Sequence, residues 1–160
     1  MSDTKSPPVS LALDQLGVAH QVFRHAGPVT SLEQAAEERN QQPEQVVRSI
    51  VFRLSRGEYV MVLMAGPDQI SWSALRAYLG RSRLTTASRE EILQVTGYEL
   101  GAVAPFGLPA PMQILIDASV LEQEELSLGS GVRGTAIIMK SEDLLAALGG
   151  VEVGQFGKSS

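Results

Sequence analysis

Apolar and polar positions change period several times along this chain, and each change marks an element. The strongest signal lies at Arg48-Ser49-Ile50-Val51-Phe52-Arg53-Leu54, rich in β-branched and aromatic residues, and at 59–64, a nearly unbroken apolar run. The first reads as a strand and the second as a strand covered on both faces. With Ser55-Arg56-Gly57-Glu58 as the turn between them, they predict a hairpin at the centre of the core. Shorter strands are predicted at 18–25, 81–87, 112–117, 125–128, 135–139 and, at an edge, 151–156. Helical spacing with a capping residue in front predicts helices at 10–16, 31–39, 71–79, 88–96 and 141–148, and a short one at 43–47 opened by Pro43. Ser31 with Gln34 fits a capping box, and Leu32, Ala35 and Ala36 give that helix a face of small side chains able to sit close to a sheet or a pocket. Trp72, Leu75 and Leu79 share one side of the 71–79 helix, which makes Trp72 a core anchor.

Irregular alternation of strands and helices, with hairpin-length turns, predicts an α+β (mixed α/β) fold: one domain with a mixed, partly barrel-like sheet surrounded by helices. A length of 160 residues suits one domain, and 44% hydrophobic with 19% charged residues excludes a disordered or fibrous chain. Residues 1–9 read as a flexible lead and 157–160 as a flexible tail around a domain at 10–156. No apolar run approaches the roughly 20 residues that cross a bilayer, and the polar, proline-bearing start lacks the apolar centre of a secretion signal, so no membrane association and a cytoplasmic location are expected. Cysteine is absent, which removes disulfides and thiolate metal sites. The net charge of −5 argues against broad, nonspecific binding to DNA or RNA, which neutralises phosphates; a small local basic patch could still hold a nucleic acid end.

Residues 97–107, Gly97-Tyr98-Glu99-Leu100-Gly101-Ala102-Val103-Ala104-Pro105-Phe106-Gly107, organise the rest. Three glycines and a proline prescribe the shape of this loop, and Leu100, Val103 and Phe106 pack it down. A packed loop pairs its amides and carbonyls internally, as a structural turn, or aims them at a ligand. Ordinary catalytic side chains are scarce. His20 and His25 have no partner at metal-ligand spacing, no Gly-x-Ser-x-Gly elbow occurs, and Gly129-Ser130-Gly131-Val132-Arg133-Gly134 is neither a phosphate-binding Walker loop nor a dinucleotide fingerprint. No metal and no cofactor are expected. Backbone groups on two glycine loops remain, with hydroxyls at Ser31, Ser49 and Ser130, the cation of Arg48, and Asp143 at a helix start.

In this order and spacing, Arg48-Ser49-Ile50-Val51-Phe52, Thr96-Gly97-Tyr98, the Gly101 to Gly107 stretch, Ile116-Asp117, Gly129 to Gly134 and Glu142-Asp143-Leu144-Leu145 resemble the YbaK family. These are free-standing aminoacyl-tRNA deacylases related to the editing domain inserted in bacterial prolyl-tRNA synthetases. The resemblance covers about 10–153. It implies trans-editing: hydrolysis of the ester joining a wrong small amino acid, such as Cys, Ala or Ser, to the terminal adenosine of tRNA. By the same resemblance, the Gly101 to Pro105 backbone, including Ala102, and a ribose hydroxyl take the place of a protein nucleophile. Arg48 stands where the family has a lysine thought to hold a phosphate of the tRNA end. Ser31, Ser49, Gly129, Ser130 and Gly131 are implied substrate contacts, Phe23 and Phe106 walls for the amino acid or base, His25 a position where relatives often carry histidine, and Asp143 a position near the pocket. Each has a plain structural counterpart: core packing for the phenylalanines, turns for the glycines, a helix-dipole contact for Asp143.

The implied partners are the acceptor end of an aminoacyl-tRNA and an aminoacyl-tRNA synthetase. Arginine for lysine keeps the charge but changes its shape, so a noncatalytic module that binds the aminoacyl end or a synthetase stays open beside the deacylase. A third possibility is an enzyme acting on another ester or thioester.

Overall fold

The computed structural model describes residues 6–158 and divides them between two sheets and five α-helices. Five strands form the larger sheet: β2 (Val47–Ser55), β3 (Glu58–Ala65), β4 (Thr85–Thr86), β5 (Gln113–Asp117) and β8 (Glu152–Gly154), in the order β4-β2-β3-β5-β8. The expected hairpin is its centre. β2 and β3 pair antiparallel from Val47 opposite Ala65 to Ser55 opposite Glu58, while β5 runs parallel to β3 and β8 parallel to β5, so the sheet is mixed.

Side chains alternate across β3. Met61 and Leu63 face a core shared with the second sheet, and Val60, Val62 and Met64 face a smaller core under α3 (Trp72–Leu79), where Leu75, Phe52 and Phe156 are fully buried. Both faces of β3 are therefore dry, which is why its sequence shows almost no polar positions. Trp72, half-buried, meets Phe52 edge to face at 5.2 Å. Ser71 caps α3 by accepting the Ala74 amide, and Gly80 ends the helix in the left-handed region.

The second sheet is β1 (Gln21–Arg24), β7 (Thr135–Lys140) and β6 (Glu125–Gly129), antiparallel throughout, in the order β1-β7-β6. The single rolled sheet of the sequence reading thus resolves into two sheets that do not close into a barrel. The glycine-rich turn after Gly129 folds β7 back on β6, and β1 takes the free edge of β7. A parallel bridge between Val46 and Ser127 links the two layers, and Leu126, Leu128, Ile137 and Met139 fill the space between them with Val51, Met61, Leu63 and Ile116.

Three further helices carry the site or its support: α1 (Pro8–Gln15), α2 (Leu32–Glu38) and α4 (Arg89–Thr96). α1 starts two residues earlier than its pattern predicts, because Pro8 suits the first helical position and Val9 is fully buried. Of the predicted flexible ends, residues 1–5 and 159–160 lie outside the described residues. Pro8 and Val9 are helical, and the Lys158 amide bonds the Gln69 carbonyl at 2.8 Å. Asp117 fastens this C-terminal stretch: its buried carboxylate accepts the amides of Ser119, Phe156 and Gly157 at 3.0, 2.6 and 3.2 Å. α5 (Ser141–Leu148) lies against β7, with Asp143 in its first turn. Among the described residues no helix is long and apolar enough to cross a membrane.

Candidate functional site

The loop at 97–107 is built around Tyr98. α4 opens on a closed capping box between Ser88 and Glu91 and stops at Gly97, whose φ of 80° turns the chain out of the helix. The Thr96 hydroxyl accepts the Tyr98 amide and donates to the Ile92 carbonyl at 2.6 Å, directing the Tyr98 ring inward. There the phenol donates to the Phe106 carbonyl at 2.5 Å, and burial raises its pKa. Ala102, Val103, Ala104, Pro105 and Phe106 are consequently buried, while Leu100 and Gly101 stay at the surface. Gly101 sits at φ 96°, a conformation costly for any residue with a Cβ.

The two glycine loops meet. The Gly131 amide donates to the Ala102 carbonyl at 3.0 Å, and Gly129 lies so close to the 102–103 peptide that a Cβ there would be 2.3 Å from the Val103 carbonyl oxygen. Ser130 shapes this second turn. Its hydroxyl accepts the Val132 amide at 3.2 Å and bonds the Thr135 side chain, while its carbonyl accepts the Val9 amide.

Beside this contact lies a cavity of about 430 Å³, within the range of small-molecule sites. One face of α2, the start of β2, the end of β6 and the loop through Gly101 and Val103 enclose it. Among the expected site residues, Ser31, Arg48, Ser49, Gly101 and Gly129 line it. Ala102 and Pro105 lie behind the loop surface, Phe106 belongs to the core between the sheets, and Ser130 and Gly131 support the turn. Phe23, His25 and Asp143 are not in the cavity wall. Phe23 instead packs edge to face on His25 at 4.9 Å.

Four polar side chains of the wall differ in how far the protein satisfies them. Ser31 caps α2, its hydroxyl accepting the Gln34 amide at 3.0 Å. Gln34 does not close the expected box: its side-chain oxygen accepts the Thr30 amide and hydroxyl. Arg48 donates through Nε to the Gly66 carbonyl at 2.9 Å and through Nη2 to the Asp68 carbonyl, bracing the turn after β3; burial lowers its pKa. Ser49 Oγ is buried and has no hydrogen-bond partner among the described residues. The amides of Gly101 and Val103 likewise find no acceptor among the described residues.

The fourth, Arg39, was not singled out from the sequence. It follows the last turn of α2, seven residues after Leu32 and four after Ala35, so the small-residue face already recognised extends to it. Arg39 Nε donates to His25 Nε2 at 3.1 Å and Nη1 to the Ser127 hydroxyl at 2.9 Å, and burial lowers its pKa. Because Nε2 accepts, the proton of neutral His25 is on Nδ1, facing Glu38 at 2.6 Å. Both ring nitrogens are engaged. Among the described residues no group of three or more His, Cys, Asp or Glu is gathered where it could hold a metal. The cavity wall carries two guanidinium groups and no carboxylate, so its field favours negative charge.

Fold and site together define a small α/β domain whose pocket is furnished by main-chain groups, hydroxyls and arginines, with no nucleophile and base paired in its wall. The chain belongs to the aminoacyl-tRNA editing domain family, whose model matches residues 26–147. It is 31% identical over 115 residues to a proline–tRNA ligase of Streptococcus pneumoniae, covering 71% of this chain and 18% of the ligase. With the proline–tRNA ligase of Kosmotoga olearia it shares 33% identity over 92 residues, 58% of this chain and 16% of that one. The chain thus spans less than a fifth of the ligases it matches. A crystal structure described as a candidate trans-editing enzyme for prolyl tRNA synthetase superposes with a TM-score of 0.87 at 23% identity, covering 98% of this chain and all of that one, which shows a shared fold.

Proposed function

We propose that this protein hydrolyses the ester of a mischarged tRNA in trans, removing a small amino acid such as Cys, Ala or Ser from the terminal adenosine. The observation that carries the reading is the cavity in which a buried, unpartnered Ser49 hydroxyl shares a wall with Gly101 and Val103, whose amides take no backbone acceptor among the described residues. Buried polar groups without partners are costly in an empty protein and favourable once a ligand supplies the missing bond.

In this scheme water attacks the ester carbonyl carbon and the carbonyl oxygen becomes an oxyanion. The amides of Gly101 and Val103 donate to it, each such donor being worth about 3–4 kcal/mol in the transition state. The bond to the ribose oxygen then breaks, one proton of the water passes to that oxygen, and the amino acid leaves as a carboxylate after releasing the other. Ser49 hydrogen-bonds the ribose, and Arg39 and Arg48 set a positive field on the wall. Ala102 holds the loop against Gly129 and Gly131, and Pro105 fixes the backbone that follows. The protein's partners are then the acceptor end of tRNA and the synthetase that mischarges it, in the cytoplasm.

A panel of tRNAs charged with cognate and noncognate amino acids, incubated with the purified protein, tests this. Release of a small amino acid from a noncognate pair supports it, and binding without release on every member refutes catalysis. That second outcome would favour a noncatalytic module, the reading helped by the engagement of Arg48 with the Gly66 and Asp68 carbonyls.

A further inference from the structure

Three arginines stand at or beside the cavity, and they are not equivalent. Arg39 is held by His25 and Ser127, and Arg48 by two carbonyls of the turn after β3. Arg133 is exposed and makes no hydrogen bond or ion pair to any described residue, yet its Nε lies 3.9 Å from where a side chain on Gly101 would begin. It therefore stands beside Gly101, a residue of the cavity wall, with its donors unengaged.

A second depression of about 170 Å³ lies next to the cavity, sharing Leu100 with it. It is lined by Arg89, Glu90, Leu93, Glu99, Leu100 and Arg133, and of its two cations Arg133 is the one beside Gly101. Leu93 and Leu100, which share this depression, are each about half exposed, which is unusual for large apolar side chains lying together. A free guanidinium beside apolar faces suits a single strand of nucleic acid, which needs a cation for each phosphate and a flat surface for each base.

Resting on the function proposed above, the geometry points to Arg133 as the contact for the phosphate that joins the terminal adenosine to the preceding nucleotide, with the base of that nucleotide on the Leu93–Leu100 surface. Arg48, at the position of the family lysine, then braces the protein and Arg133 grips the strand.

The test compares two substrates of the intact protein: a mischarged tRNA and the same amino acid esterified to adenosine without phosphate. Arg133→Gln is expected to raise KM for the tRNA on the order of tenfold and to lower the salt dependence of its binding by about 0.7 in log–log slope. Hydrolysis of the phosphate-free ester should be unchanged, and Arg133→Lys should restore the slope by returning a point charge. An equal loss on both substrates, or no loss on either, overturns the assignment while leaving the deacylase reading intact. If the unmodified protein cleaves no charged tRNA, that reading fails first.

Discussion

Gly129 offers the sharpest perturbation of the site, because it tests the meeting of the two glycine loops without touching a polar group. Unlike Gly101 it has no left-handed φ, so alanine there meets no backbone strain and the effect is purely steric. The new Cβ would lie 2.3 Å from the Val103 carbonyl oxygen and 3.1 Å from Ala102 C and O, where real contacts stay above 3.0 Å; the oxygen must retreat by about 0.7 Å. That oxygen belongs to the loop segment whose amides are assigned to the oxyanion.

Overpacking of this kind costs about 1–3 kcal/mol, and for a chain of this size each kcal/mol lowers Tm by roughly 2–4 °C. Gly129→Ala should stay folded. A shift of about 0.7 Å in the loop carries the amides assigned to the oxyanion with it, and misplacement on the order of 1 Å costs about 100-fold in rate, so kcat on the responsive mischarged tRNA should fall by up to about that factor while far-ultraviolet circular dichroism is unchanged. Single-turnover deacylation at saturating protein separates this from weaker binding. A folded Gly129→Ala protein with undiminished kcat would refute the claim that the loop position matters to the chemistry.

Ser49→Ala removes a buried hydroxyl without a partner, so the free protein should be unchanged or up to about 1 kcal/mol more stable in urea titration, while KM for the charged tRNA rises. A loss of stability would show that the hydroxyl has a partner in the free protein. Asp117→Ala strands the amides of Ser119, Phe156 and Gly157 and should cost about 2–4 kcal/mol by the same titration, with the rate of the folded fraction unchanged because Asp117 is outside the cavity wall. Glu38, Glu58 and Glu91 have pKa values lowered chiefly by hydrogen bonds from the His25 side chain, the Ser55 hydroxyl and the Ser88 amide respectively. A depressed carboxylate pKa stabilises the fold above the unfolded value near 4.5 and loses that contribution as pH falls through the lower folded value. Thermal melts should therefore show Tm dropping below about pH 4.5, and the triple glutamine variant should drop less.

Elements that depend on neighbours in sequence were legible in it. The β2–β3 hairpin, the Ser71 cap with Gly80 and the helix that Ser88 opens and Gly97 ends are local devices, and each is where its residues predict. The division into two sheets was not, because nothing in the strand 135–140 says whether it pairs with β3 or folds back on β6; that choice depends on the turn at 129–134 and on the faces left to bury. The site was half legible for the same reason. The shape of the 97–107 loop follows from its glycines and proline, but its contact with Gly129 joins residues far apart in sequence. Arg39 was within reach, lying on the face already marked by Leu32 and Ala35, yet its charge placed it outside a pattern read for small side chains. For His25 the resemblance implied only a position where relatives often carry histidine; the geometry shows one ring nitrogen facing Glu38 and the other accepting from Arg39.

That last point constrains the chemistry. The cavity wall contributes serines, threonines, arginines and main-chain groups, and none of these side chains titrates between pH 5 and 8. With both nitrogens of His25 engaged and His25 outside the cavity wall, the proposed deacylation would leave proton transfer to water and the substrate's own ribose hydroxyl. What the protein supplies is fixed, positive polarity, two guanidinium groups and main-chain amides in the cavity wall, which under the proposed function would favour the oxyanion over the neutral ester. On that reading the site would need no nucleophile of its own and would depend on loop position, in keeping with Gly129 set against the 102–103 backbone and the partnerless Ser49 hydroxyl buried in the same wall.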